Sequence, residues 1–141
     1  MAKLTLTALK TIAWMIIELY LCLCCRLGKA IAIGTQESKL LLYDLKGNEI
    51  DRVEAAPWSE TFSPDGKIIA IANADSTVTL WNWQNKSVTK LEGHQGEVLD
   101  VDFSSDGKYI VSSSSDRIVR FGYCDRLKSS SNHQQVNINN V

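Results

Sequence analysis

Between residues 57 and 123 the chain alternates short apolar or β-branched runs with brief polar breaks. "IIAIA" (68–72) gives way to "NADS", then "TVTLWNW" (77–83), "QNKS" and "VTKL" (88–91). Each run has the length of a strand, and each break offers Asn, Asp or Ser, whose side chains bond nearby backbone and support tight turns. In "VLDVDF", Val101 and Phe103 fall on one side of a strand and Asp100 and Asp102 on the other. In "TVTLW", Val78 and Leu80 share one face and Thr79 and Trp81 the other, so both faces of that strand offer packing surface. The pattern predicts a β-meander, with strands near 29–34, 39–45, 48–54, 57–62, 67–72, 77–83, 87–92, 96–103, 108–114 and 117–123.

The meander repeats itself. "FSPDGKII" (62–69) returns as "FSSDGKYI" (103–110), a step of 41 residues from Phe62 to Phe103. Taking Gly66 and Gly107 as anchors, Asp75 and Asp116 each follow by nine positions, and Val78 and Val119 each follow by twelve. A weaker copy emerges when "GKAIAIG" (28–34) is laid on "GKIIAIA" (66–72), which aligns Tyr43-Asp44 with Trp81-Asn82. A period near forty belongs to architectures in which each repeat is one supersecondary unit that buries its faces against neighbours.

With Gly93-His94 opening the last copy, these residues resemble the WD-repeat β-propeller family over about 26–123. The resemblance implies an all-β fold, a partial β-propeller of about three antiparallel blades. Its layout is an apolar N-terminal segment (1–25, helix or strand), a degenerate blade (26–56), a second blade (57–92), a third blade without its outer strand (93–124) and a disordered tail (125–141). It also implies a buried hydrogen-bond chain that fixes each blade, carried here by His94, Ser112 or Ser114, and Asp116 in the third blade and by Asp75 and Trp81 in the second. The pattern is incomplete: Gly122 stands at the Trp position, Tyr123 follows it in place of Asp, and Ala55-Pro57 occupy the place of a Gly-His pair.

His94, Asp116 and a nearby serine also have the makings of a nucleophilic triad. No flanking stretch supplies an oxyanion hole or a nucleophile elbow, so the frame-building role is expected and catalysis is not. "GKAIAIG" and "DGK" lack the glycine spacing of a phosphate-binding fingerprint. No cofactor is expected. Trp58 and Trp83 are read as packing or surface-binding aromatics, and Gln84, Asn85, Gln95 and Glu97 as loop residues suited to contact a partner, without a binding site being assigned.

Composition narrows the partners. Fifteen basic residues against 16 acidic ones give a formal charge of -1, with no basic band to draw nucleic acid. Cys22, Cys24 and Cys25 crowd together far from Cys124, which suits neither a disulfide framework nor a metal site, so reduced thiols and a cytoplasmic setting are expected. The run "TIAWMIIELYLCLCC" (11–25) is shorter than the ~20 residues of a spanning helix and carries Glu18 near its middle. Membrane association or export through it is the alternative setting. The leading function is non-catalytic protein–protein interaction. Its alternatives are a membrane-tethered or exported small β protein and a degenerate fragment of a larger propeller. Three imperfect blades do not close a ring, so self-association or completion by another chain is expected, with the edge after residue 123 as a seam.

Overall fold

The computed structural model describes residues 23–24, 30–124 and 139–140. The fold is all-β, with three four-stranded antiparallel sheets following one another along the chain among the described residues. Residues Met1–Pro57 and Trp58–Val141 form two compact units.

The first sheet holds β1 (Leu23–Cys24), β2 (Ala30–Thr35), β3 (Lys39–Asp44) and β4 (Glu49–Glu54), hydrogen-bonded in that order. β1 lies inside the apolar run and pairs through Leu23↔Ile33 and Cys24↔Ala32. That part of the run is strand. The rest of it lies outside the described residues, as does most of the segment weighed for membrane association. Among the described residues no helix is long and apolar enough to cross a membrane.

The second sheet is β5 (Pro57–Phe62), β6 (Ile68–Asn73), β7 (Val78–Asn82) and β8 (Ser87–Leu91). Cross-strand partners share a face, so Ile68, Ala70, Ala72, Val78 and Leu80 line one side and Ile69, Ile71, Thr79 and Trp81 the other. The third sheet is β9 (Val98–Phe103), β10 (Tyr109–Ser114) and β11 (Val119–Tyr123), with β12 (Asn139–Asn140) beside β11. Ala70, Ala72, Val78, Leu80 and Leu91 of the second sheet join Val98, Val101, Phe103, Ile110 and Cys124 in one buried apolar cluster. Small alanines on β6 allow β9 to approach closely, which is how two sheets share a core without voids.

β12 corrects the expectation that the third blade lacks an outer strand. Asn139 pairs with Phe121 and Asn140 with Arg120, so a segment expected to be disordered supplies a short ladder. Pairing at a sheet edge uses backbone donors and acceptors and needs no apolar period, which is why the sequence pattern did not announce it. The remainder of the expected tail, 125–138 and 141, lies outside the described residues.

The doubled octapeptide now has a physical cause. In the first copy the Ser63 hydroxyl donates to Asp65 Oδ1 at 2.6 Å and accepts from the Ile68 N–H at 2.9 Å, while the Lys67 N–H also donates to Asp65. In the second copy Ser104 bonds Asp106 at 2.6 Å and accepts from Tyr109 at 2.9 Å, with the Lys108 N–H donating to Asp106. Gly66 (φ 71°) and Gly107 (φ 70°) occupy the left-handed position that each turn requires. Ser, Asp and Gly are fixed in spacing because each fills a separate place in one network.

Candidate functional site

His94 and Asp116 come from two different turns of the third sheet. His94 precedes β9, and Asp116 lies in the turn between β10 and β11. Their contact, Nδ1 to Oδ2 at 2.9 Å, ties those turns together. On the other side of the ring, Nε2 meets Ser112 Oγ of β10 at 2.9 Å. An ionised carboxylate only accepts, so Nδ1, which faces Asp116, carries a proton, while Nε2 and the Ser112 hydroxyl share the second hydrogen bond. The side chains of His94 and Asp116 are only 2% and 7% exposed.

Asp116 is further clamped by the backbone. The Gln95 N–H donates to Oδ2 at 2.9 Å and the Ile118 N–H to Oδ1 at 2.9 Å. Burial works to raise its pKa, but the Gln95 N–H, the His94 ring and the Ile118 N–H together outweigh it and hold the carboxyl well below the usual carboxylate range. The group stays charged and acts as a fixed anchor.

Ser114 takes a neighbouring place. Its hydroxyl donates to the Gly96 carbonyl at 2.9 Å and accepts from the Asp116 N–H at 3.1 Å. Of the two serines considered, Ser112 therefore bonds the imidazole and Ser114 fastens the turn. Gly96 is packed tightly here, since a Cβ on it would meet Ser115 Oγ at 2.5 Å and the Asp116 nitrogen at 3.0 Å.

The connectivity is that of a nucleophile, a base and an orienting acid. Its surroundings differ from those of a catalytic site: Ser112 is 4% exposed. A pocket of about 130 Å³ in the same unit is lined by Ser63, Pro64, Asp65, Ile68, Phe103, Asp106, Gly107 and Cys124, and none of the three lines it. Among the described residues no cluster of His, Cys, Asp and Glu has the makings of a metal site.

In the second sheet the structure does not bring Asp75 and Trp81 into one network. Asp75 accepts from the Thr77 N–H and hydroxyl and from Lys90 Nζ at 3.3 Å, in an exposed turn. Trp81 is buried beside its cross-strand partners Ile69 and Val88. One repeat before His94 and Ser112 stand Val53 and Ile71, which offer no ring nitrogen and no hydroxyl.

Sequence reasoning missed a different buried pair. Asn73 Nδ2 donates to Thr79 Oγ1 at 2.9 Å, with further contacts to the carbonyls of Ile71 and Thr77. Asn73 stands 41 positions before Ser114, so the repeat register itself carried the signal. Two rungs between the sheets were also missed: Ser59 donates to Asp100 at 2.6 Å and Thr61 to Asp102 at 3.3 Å, each pair 41 residues apart. Among the aromatics and loop residues noted beforehand, Trp58 is exposed and Trp83 is half-buried, its indole N–H donating to the Gly66 carbonyl at 2.9 Å. Gln84, Asn85, Gln95 and Glu97 lie on turns.

Comparison with known proteins places this geometry. Residues 41–82 and 85–121 match the family model described as "WD domain, G-beta repeat", more than half of the chain. The chain is 31% identical over 116 residues to human WD repeat-containing protein 3, covering 71% of this chain and 12% of that protein. It is 41% identical over 99 residues to an uncharacterized WD repeat-containing protein of Synechocystis, covering 66% and 28%. It is 38% identical over 63 residues to the human U5 small nuclear ribonucleoprotein 40 kDa protein, covering 44% and 18%. The chain thus spans under a third of the length of each of these relatives.

Proposed function

The chain belongs to the WD-repeat family, and from that premise we propose that it is a non-catalytic module that binds other proteins and serves as a scaffold. The observation that carries this reading is the burial of the Ser112–His94–Asp116 constellation. A nucleophile must meet its substrate, whereas Ser112 is closed off between the imidazole and the core, and every member of the set satisfies another. The residues best suited to chemistry hold two turns together, and what they hold in place is a surface.

The partner is a protein or peptide. A net charge of -1 without a basic band supplies no counterion-release drive toward nucleic acid. The turns bearing Gln84, Asn85, Gln95 and Glu97 are the expected contacts, since rigid scaffolds present recognition on their loops. A cytoplasmic setting agrees with the crowding of Cys22, Cys24 and Cys25 far from Cys124, which is not the spacing of a disulfide framework.

Photo-crosslinking tests the reading. A crosslinking residue placed in turn at positions 84, 85, 95 and 97 should capture the same partner protein from several of these turns. Captures scattered equally over sheet and turn positions would sink the loop assignment. Turnover of any substrate that disappears in both Ser112→Ala and Asp116→Asn while the fold persists would sink the non-catalytic assignment.

A further inference from the structure

The two sheets of the Trp58–Val141 unit have the same faces in the same register, and one of those faces is treated differently in each. In the second sheet, Ile68, Ala70, Ala72, Val78 and Leu80 look toward β9 and are buried or partly buried there. One repeat later, 41 positions on, stand Tyr109, Val111, Ser113, Val119 and Phe121. The pairings Tyr109↔Tyr123, Val111↔Phe121 and Ser113↔Val119 put them on one face of the third sheet. That face is exposed: Tyr109 46%, Val111 41%, Val119 47%, Phe121 44% and Tyr123 37%. Tyr109 and Tyr123 stack edge to face at its end, ring centroids 5.2 Å apart.

Exposed apolar residues scattered singly need no explanation, but five on adjoining strands form a patch. We propose that this face, Tyr109, Val111, Val119, Phe121 and Tyr123, docks a second copy of this chain about a two-fold axis. The proposal rests on the interaction-module reading and names one partner for it.

Three observations select that occupant. The same face one repeat earlier is covered by a sheet of this very chain, so a β-sheet is the kind of surface that fits it. The residues have grown, with Tyr109 for Ile68, Val111 for Ala70 and Phe121 for Leu80, so an inner strand could not approach as closely as β9 approaches β6. Interdigitation with an equally bulky face, at the ~10 Å spacing of packed sheets, suits them better. Finally, among the described residues a second copy offers no other such face. The apolar residues on both faces of the second sheet and on β2 and β3 of the first are mostly buried, and the remaining exposed large apolar residues, Ile50, Trp58, Val88 and Leu99, do not gather on one sheet face among the described residues. Such a face meeting its own copy gives an isologous, two-fold contact. Asp100 and Asp102 lie along the β9 side of the face, opposite Ser113 and Val111. A contact centred on β10 and β11 leaves those carboxylates at a hydrated rim.

The side chains expose on the order of 400 Å² per copy, about half the area that a standard interface buries on each partner, so the association should be weak, in the micromolar range. Sedimentation of the full chain from about 1 to about 300 μM, a span that brackets such an affinity, should show a reversible monomer–dimer equilibrium. Phe121→Asp and Val111→Lys, both at exposed positions, should keep the circular dichroism spectrum of the parent and weaken dimerisation at least tenfold. A monomer throughout that range overturns the proposal, and so does a dimer whose affinity neither variant alters. Either result leaves capture of a different protein through the turns untouched, so the two readings fail separately.

Discussion

His94 and Asp116 stand 22 residues apart in the chain and 2.9 Å apart at Nδ1 and Oδ2. Removing the acid strands more than one group, because the Gln95 and Ile118 N–H donors lose their acceptor together with the imidazole. Unsatisfied buried donors cost about 1–3 kcal/mol each when water cannot replace the partner. Asp116→Ala should therefore destabilise the Trp58–Val141 unit by about 2–4 kcal/mol. Ser115→Ala, at an exposed position of the same turn, should change stability by less than about 0.5 kcal/mol. Urea unfolding of both variants measures the difference.

The same carboxylate gives stability a pH dependence. Its folded pKa lies below its unfolded one, so on acidification the unfolded chain takes up the proton first. The stabilisation is fully present above about pH 4, the unfolded carboxylate range, and is lost as pH falls toward the folded value. Asp106, lowered mainly by the Ser104 hydroxyl, and Asp44, lowered mainly by Asn48, act in the same direction. Thermal midpoints measured from pH 7 to pH 2.5 should fall most steeply below about pH 4. Asp116→Asn should lower the midpoint at neutral pH and make that acid limb shallower. An unchanged limb would assign the acid sensitivity to the other carboxylates.

Gly107 sets the turn that follows Ser104 and Asp106. At φ 70° an alanine is strained, and its Cβ would lie 3.3 Å from Pro64 Cδ. Gly107→Ala should cost about 1–2 kcal/mol, from the backbone and the crowding together. Ser104→Ala removes the hydroxyl that accepts from Tyr109 and donates to Asp106, and should cost about 1 kcal/mol. Since both changes strike one turn, the double variant should fall short of the sum in urea titrations.

What the sequence made legible follows from where side chains do the specifying. The Ser, Asp and Gly of the doubled octapeptide each hold a distinct hydrogen bond or backbone angle, so the motif reports its turn directly. His94, Asp116 and a serine from Ser112 or Ser114 were expected only through the resemblance to the WD-repeat family. The choice between Ser112 and Ser114 was not legible, because both lie on the buried face of β10. Asn73 was overlooked because amide and hydroxyl do not look alike in a sequence, though they stand at one repeat position. β12 could not be read at all, since its two asparagines pair through the backbone. The apolar face of β10 and β11 was visible as alternation, but alternation shows which residues share a face and not what covers it.

Ala72 and Ser113 occupy the same place in successive repeats and face opposite fates, which makes the pair a test of the whole arrangement. Ala72 is fully buried in the apolar cluster shared by the two sheets. Ser113 lies on the exposed face of the third sheet, opposite Val119. Overpacking a filled core costs about 1–3 kcal/mol or more, whereas a surface strand position tolerates an apolar side chain within about 0.5 kcal/mol. Ala72→Leu should therefore unfold at distinctly lower urea than the parent, and Ser113→Leu at nearly the same concentration, both measured dilute enough to keep the chain monomeric. If the two faces were packed alike, the two leucines would destabilise alike. The difference between the midpoints thus measures how much the second sheet's partner contributes that the third sheet, in the monomer, lacks.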